Sequence, residues 1–211
     1  MPTCTEERPV IAHRFAAVAI VDNGGQPAEI VEVAVVTVDS GVPSCYPPLT
    51  WLVRPTAPIA PHVVRCHRLA DADVAGAPAI AEVAGEMAGV LSDRILLAHR
   101  SRQVCSLLTS ALPDWRPARV LDTRRLAGLV WPSARSRALS ELTRRAGLRV
   151  RGQVGRAGWD AHATALLFTV LAHRLRLPAE LLFPLATPPR LVPPGCTRTH
   201  LREPANRPDS A

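Results

Sequence analysis

The 211-residue sequence contains no lysine, so all 25 of its basic residues are arginine. They give the chain a net charge of +7 and a pI of about 10.3. Two interpretations of this charge stay open, because GC-rich codon usage also favours arginine, alanine and proline. Arginine makes bidentate contacts with phosphate whatever its origin. Nucleic acid is therefore a candidate partner, although the pI alone does not establish it.

Aromatic residues make up only 4% of the chain, and its tryptophans are dispersed. A platform of aromatic side chains for stacking bases is therefore not predicted. The five cysteines are scattered, without paired metal-ligand spacing and without the frame of a small secreted protein. No apolar run approaches the roughly 20 residues of a membrane span, and the N-terminus lacks the apolar core of a signal peptide. These features predict a cytoplasmic protein with no membrane contact.

The segment "FAAVAIVDNGGQPAEIVEVAVV" contains two apolar runs around a turn of Asp, Asn, Gly and Pro. It predicts antiparallel strands over Phe15–Val21 and Ile30–Asp39. Both runs are nearly continuous in Val, Ile and Ala, which is typical of central strands covered on both faces. A third short strand is expected around Thr50–Val53, next to a proline-rich loop. Helical spacing of apolar residues then predicts a helix from about Ala79 to Leu91.

Strands and helices alternate in the second half of the chain. "RILLAHR" indicates a buried strand, "QVCSLLTSAL" a helix, "ARVLDTRRLAGLVW" a strand and a helix, and "ALSELTRRAGL" and "WDAHATALLFTVLAHRLRL" two further helices. This order predicts an α/β fold with a mixed central sheet flanked by helices. The expected organisation is a lead-in over residues 1–13, one domain over 14–177, and a Pro-rich, partly disordered tail over 178–211.

That order resembles the DEDDh 3′–5′ exonucleases, the family of the epsilon subunit of DNA polymerase III. The resemblance is carried by "EIVEVAVV", "LVRPTAPIAPHVVRCHRLADADVAGAP", "ILLAHR", "VLDTRRLA" and "WDAHATALLF", and runs from about Phe15 to Leu171. It implies a ribonuclease-H-like fold that removes nucleotides from 3′ ends with two magnesium or manganese ions. Two cations that clamp a phosphodiester require converging carboxylates.

Most of the family's acids are missing from the matching positions. The first two acids, spaced D-x-E on the first strand, correspond to Ala19 and Val21, and the third corresponds to Val104. Apolar side chains do not bind a hard divalent ion. The resemblance therefore implies a degenerate, catalytically inactive member with no metal cofactor.

The fourth acid and the general base lie on the last helix of the family, spaced H-x4-D. This sequence retains Asp160, one metal ligand of the family's four, and has Gly155 in place of the histidine. A carboxylate left without metal in a cleft needs a partner. We therefore expect Arg100, which replaces the asparagine of the family's "HN" pair, or Arg102 to pair with Asp160.

Several other polar residues have a structural and a functional interpretation. Asp22 is either a turn former or a substitute metal ligand, and Asp122 is expected to cap the helix that follows it. His162 projects about 200° around the helix from Asp160, which indicates a packed or surface histidine. Three further histidines without carboxylate partners are weak evidence for zinc; they are His62, His67 and His99.

A basic, glycine-containing loop from Arg149 to Arg156 leads into the last helix, beside the substrate groove of the family. It is expected to hold phosphates without metal. The candidate nucleic-acid-binding residues are Arg100, Arg102, Arg149, Arg151 and Arg156.

Three functions stay open. The chain is a non-catalytic binder of DNA or RNA through the arginine-rich loop, a protein-interaction scaffold through its sheet edge or its Pro-rich tail, or an active exonuclease with relocated ligands. The first predicts binding that weakens steeply with salt, the second predicts a protein partner, and the third predicts metal-dependent trimming abolished by Asp160→Ala.

Overall fold

A six-stranded mixed sheet forms the centre of the structure, a computed structural model that describes residues 14–43 and 46–175. The strands are β1 Arg14–Asp22, β2 Ile30–Asp39, β3 Val42–Pro43, β4 Leu49–Leu52, β5 Ile95–Ala98 and β6 Val120–Asp122. Strand β1 pairs antiparallel with β2 and parallel with β5, and β5 pairs parallel with β6. Strands β3 and β4 both pair antiparallel with β2, along its outer side.

Helices cover both faces of the sheet. The helices are α1 Pro61–His67, α2 Asp71–Val74, α3 Ile80–Leu91, α4 Ser101–Ala111, α5 Thr123–Val130, α6 Leu139–Arg145 and α7 Ala157–Leu175. Helix α7 packs against β1 and β2 and is flanked by α5 and α6, whereas α3 and α4 contribute to the core on the opposite face. Alternate residues of β1 enter the two cores: Ala17 faces the α7 side, and Val18 faces the other.

The predicted α/β architecture is confirmed, and the predicted strands and helices lie within a few residues of their expected bounds. The sequence did not predict α1, because the prolines of this stretch were interpreted as a loop. Pro61 occupies the first helical turn, where its missing N–H costs no helical hydrogen bond. The predicted lead-in, residues 1–13, and the predicted tail, residues 178–211, lie outside the described residues.

Helix α7 spans 19 residues and is the longest helix among the described residues. Across residues 14–43 and 46–175, neither α7 nor any other helix combines the length and apolar character needed to cross a membrane.

Candidate functional site

A cleft of about 740 Å³ opens at the carboxyl end of β1. Its walls come from α1, the start of α4, the connection between α5 and α6, and the first turns of α7. All five positions that the family resemblance singled out line this one cleft; they are Ala19, Val21, Val104, Gly155 and Asp160. The structure thus brings together residues that lie up to 141 positions apart in the sequence.

The floor of the cleft is hydrocarbon. Ala19 and Val21 are each 8% exposed, and Val104 is 7% exposed. These side chains offer no oxygen to a hard divalent cation. Two metal ions therefore do not fit the residues present at this floor.

The carboxylates that line the cleft, among the residues described, are Asp22 and Asp160. Asp22 has other partners, because one of its oxygens accepts from the Gly24 N–H at 2.9 Å and the other from Gln103 Nε2 at 2.8 Å. The first contact confirms its predicted role as a turn former. Over the described part of the chain, no three His, Cys, Asp or Glu side chains are grouped as a metal site.

The backbone around Gly155 excludes a side chain. Gly155 has φ of +90°, and a Cβ at this position would collide with the backbone carbonyl oxygen of Cys66 on α1. The family's general-base histidine therefore does not fit onto this backbone without a movement of the loop or of α1.

Asp160 lies partly buried in the first turn of α7. Burial raises the pKa of its carboxyl group to about 6, and nearby Arg100 opposes this shift. The predicted ion pair with Arg100 or Arg102 is wrong, because no ion pair to Asp160 forms within residues 14–43 and 46–175. The Arg100 guanidinium instead makes a long hydrogen bond to Gln103 Oε1, at 3.5 Å.

A guanidinium does neutralise a carboxylate beside the cleft, but the pair is Arg156 with Glu32. Glu32 lies on β2 opposite Val21 and is 2% exposed. Arg156 binds both of its oxygens, with Nε donating to Oε2 at 3.0 Å, and the Ala157 N–H donates to Oε2 at 2.8 Å. The pair raises the pKa of the Arg156 guanidinium. Arg156, predicted to contact phosphate, is thus directed into the protein.

The other predicted nucleic-acid contacts are distributed over the surface. Arg100 lines the cleft, whereas Arg102 and Arg149 are exposed and do not line it. Arg151 lies over the ring of Tyr46, with its guanidinium carbon 5.4 Å from the ring centroid. Of the five predicted arginines, the structure places one in the cleft.

Three arginines outside the five predicted nucleic-acid contacts also line the cleft. Arg124 lies in the first turn of α5, and Arg135 and Arg137 lie in the connection to α6. The Arg137 guanidinium packs over Gly128, where a Cβ would lie 2.8 Å from Nη1. Within the described chain, Arg124 and Arg135 form no ion pair. We call Arg100, Arg124 and Arg135 the basic rim.

His99 holds this rim in place. Its Nε2 donates to the Arg137 carbonyl at 2.8 Å, and its Nδ1 accepts from the Thr123 hydroxyl at 3.0 Å. Burial lowers the pKa of His99, which favours the neutral imidazole with the proton on Nε2, the atom that faces the Arg137 carbonyl. His99 is therefore a structural residue that links β5 to the α5–α6 connection.

His67 also lines the cleft and is 4% exposed. Its Nδ1 accepts from the Leu69 N–H at 3.0 Å, and its Nε2 is buried without a hydrogen-bond partner among the described residues. Burial lowers the pKa of the imidazole. The remaining histidines lie elsewhere: the His62 ring lies near Gly24, and His162 contacts Tyr46.

Asp122 caps two helices at the edge of the site. Its Oδ1 accepts from the Arg124 and Arg125 N–H groups at 2.8 and 3.2 Å, which confirms the predicted cap of α5. Its Oδ2 accepts from the Ser101 N–H at 3.0 Å and the Ser101 hydroxyl at 2.7 Å, at the start of α4.

Comparison with known proteins identifies the relatives of this chain. The RNase_T exonuclease family matches residues 18–168. A 3′-5′ exonuclease DinG from Staphylococcus haemolyticus (strain JCSC1435) is 30% identical over 120 residues, which are 55% of this chain and 13% of that protein. The chain thus spans about an eighth of the length of that relative.

Solved exonuclease structures share the fold. Exonuclease X, solved in complex with 5′ overhanging duplex DNA, has a TM-score of 0.66 and 26% identity, over 81% of this chain and 98% of that one. The nuclease domain of 3′hExo, a DEDDh family member bound to rAMP, has a TM-score of 0.64 and 14% identity, over 77% and 92% of the two chains. With a family match over more than half of its length, this chain belongs to the exonuclease family, and its α/β fold is the predicted ribonuclease-H-like fold.

Proposed function

We propose that this exonuclease-family chain binds nucleic acid in its cleft without cleaving it. The observation that carries the proposal is the polarity of the cleft, which has an apolar floor at Ala19, Val21 and Val104 and a basic rim. A nuclease that uses two metals needs the reverse arrangement, with acids on the floor.

The absence of oxygen ligands on the floor supports the loss of catalysis. Asp160 alone of the family's four acids remains, and burial raises the pKa of its carboxyl group although Arg100 lies nearby. Glu32 lies near Asp160, but its carboxylate oxygens already accept hydrogen bonds from Arg156 and from the Ala157 N–H. A relocated metal site is therefore not supported by the carboxylates of the described chain.

The basic rim supports binding of phosphates. Arg124 and Arg135 are exposed, line the cleft and have no acidic partner among the described residues. Guanidinium groups bind phosphate oxygens in a bidentate manner without any metal. The related structures of Exonuclease X with duplex DNA and of 3′hExo with rAMP support nucleic acid as the ligand class.

Fluorescence anisotropy with a labelled single-stranded oligonucleotide tests this proposal. Binding is expected to survive EDTA and to weaken linearly with the logarithm of the salt concentration. The double variant Arg124→Gln/Arg135→Gln should reduce that slope by about 1.4, because each contact with a single strand contributes about 0.7. Arg144→Gln is the matched control, since Arg144 is exposed, pairs with Glu141 and lies outside the cleft.

Two results would contradict the proposal. Binding that requires Mn²⁺ and disappears in EDTA would indicate a working metal site. No binding even at low salt would leave the protein-interaction scaffold as the better account. The predicted contact through the Pro-rich tail lies outside the described residues and stays a prediction.

A further inference from the structure

A second cluster of polar and aromatic side chains lies beside the cleft. The ring of Tyr46, between β3 and β4, is 49% exposed and contacts His162 of α7, with ring centroids 5.2 Å apart and planes tilted by 42°. The Arg151 guanidinium lies 5.4 Å from the same ring centroid. We call Tyr46, Arg151 and His162 the Tyr46 cluster.

The backbone that carries Tyr46 is anchored to α7. A Cβ on Gly158 would lie 3.8 Å from Thr50 Oγ1 and 3.9 Å from Pro48 Cγ, so the segment after Tyr46 approaches the helix closely. The Tyr46–His162 contact lies one turn further along α7. The close approach at Gly158 and the ring contact at His162 both place the segment of Tyr46 against α7, while half of the tyrosine surface faces solvent.

Within the cluster, one polar atom has no hydrogen-bond partner among the described residues. The Nδ1 of His162 is buried and has no hydrogen-bond partner among the described residues, and burial lowers the pKa of its imidazole. Arg151 forms no ion pair within the described chain. The cluster thus combines an exposed aromatic ring, a planar cation without a counter-ion and an unused polar atom.

Arg151 of the cluster lies on the same loop as one wall of the cleft. Val154 and Gly155 line the cleft, and Arg151 precedes Val154 by three residues. Three residues of fully extended chain span at most about 11 Å. A nucleic-acid strand that leaves the cleft past Val154 therefore reaches Arg151 within about 11 Å.

We infer that the Tyr46 cluster is an accessory site for an unpaired base of a single strand whose neighbouring nucleotides lie in the cleft. The inference rests on the proposed function. A base stacks on a guanidinium plane or on a tyrosine ring, and the arginine also attracts the flanking phosphate. Because the surrounding loop carries Arg149 and Arg151 without an acid between them, its charge is complementary to that of a nucleic-acid strand.

The test uses the fact that Tyr46 is the only tyrosine of the chain. Protein labelled with 3-fluorotyrosine gives one ¹⁹F resonance, which reports on this ring directly. Titration with a ten-nucleotide oligothymidylate is expected to shift that resonance, whereas a thymidine dinucleotide, which is short enough to stay in the cleft, is expected to leave it in place. A resonance that does not move while the longer oligonucleotide binds would overturn the inference.

Variants provide a second measurement. Tyr46→Ala is expected to weaken binding of the ten-nucleotide probe about tenfold, within the range for the loss of one stacked base, and to leave dinucleotide binding unchanged. Tyr46→Phe should retain full affinity because it keeps the ring. Arg149→Ala, which removes an equal charge from the same loop outside the cluster, should weaken binding less than Arg151→Ala does.

The outcomes separate the inference from the proposed function. If both probes bind wild-type protein and Tyr46→Ala binds them equally well, the accessory site is wrong and the binding function stands. If neither probe binds at low salt, the proposed function fails and the accessory site fails with it. A shifted ¹⁹F resonance on addition of a protein partner, without any effect of oligonucleotides, would also overturn the inference.

Discussion

Glu32 and Arg156 lie 124 residues apart in the sequence and form a buried ion pair beside the cleft. The pair joins β2 to the start of α7, because Glu32 also accepts from the Ala157 N–H. The buried carboxylate of Glu32 is therefore neutralised by the guanidinium group of Arg156. It stabilises the wall of the cleft and leaves the basic rim free for ligand.

Removing one partner of this pair should destabilise the protein strongly. Arg156→Met leaves a 2% exposed carboxylate without its cation, and loss of one partner of a buried pair typically costs about 3–5 kcal/mol. Glu32→Met should cost less, because Arg156 is 30% exposed and its guanidinium can turn to solvent. Urea denaturation measures both free energies of unfolding. Equal stability of Arg156→Met and wild type would contradict this account.

Asp122 should contribute to stability through two helices at once. Asp122→Ala removes acceptors from α4 and α5, and the loss of a helix cap costs about 1 kcal/mol for each helix. Asp122→Asn retains one good acceptor and should lie between alanine and wild type. Thermal denaturation of the three proteins checks this order, and an asparagine variant as unstable as alanine would show that charge, rather than capping, dominates.

Gly155 should tolerate no side chain. Gly155→Ala combines the strain of φ at +90° with a collision against the Cys66 carbonyl. Gly147→Ala is the matched control, because Gly147 has φ of +70° and open space around its Cβ position, so only the strain of about 1–2 kcal/mol applies. Denaturant unfolding should therefore show that Gly155→Ala loses more free energy of unfolding than Gly147→Ala does. Similar losses would mean that the loop moves easily and that a histidine could be accommodated there.

The stability of the protein should depend on the ionisation of Asp160. The folded pKa of this carboxyl group is about 6, above the ordinary value of 3.8, so the unfolded chain loses this proton first as the pH rises. Wild-type protein should thus lose stability relative to Asp160→Asn between about pH 4 and pH 6, and the difference should stay constant above pH 6. Melting temperatures of both proteins across this range check the prediction. If the melting temperatures of wild type and Asp160→Asn changed in parallel with pH, the raised pKa of Asp160 would be contradicted.

Local sequence signals predicted the fold and the local contacts well. The apolar runs gave β1 and β2, and the roles of Asp22 and Asp122 followed from their positions beside a turn and before a helix. Each of these depends on neighbours in the sequence. Helix α1 was missed because Pro61 stops a helix in its interior but is well tolerated in its first turn.

The charged contacts of the site could not be predicted from the sequence. The partner of Arg156 is on a strand in the first half of the chain, and the only signal was that Glu32 interrupts an apolar run, where a buried acid needs a cation. Arg124 and Arg135 resemble any other exposed arginine of the second half. His99 packs against Thr123 at the start of α5 and against Arg137 in the α5–α6 connection, and this packing brings both arginines to the cleft.

The most direct test of the central claim is a trimming assay with a 5′-labelled single-stranded oligonucleotide and Mn²⁺, at a protein concentration where anisotropy shows the oligonucleotide bound. We predict that the oligonucleotide stays bound and keeps its full length. Shortening from the 3′ end that requires the metal and disappears in Asp160→Ala would contradict the account and show a working nuclease.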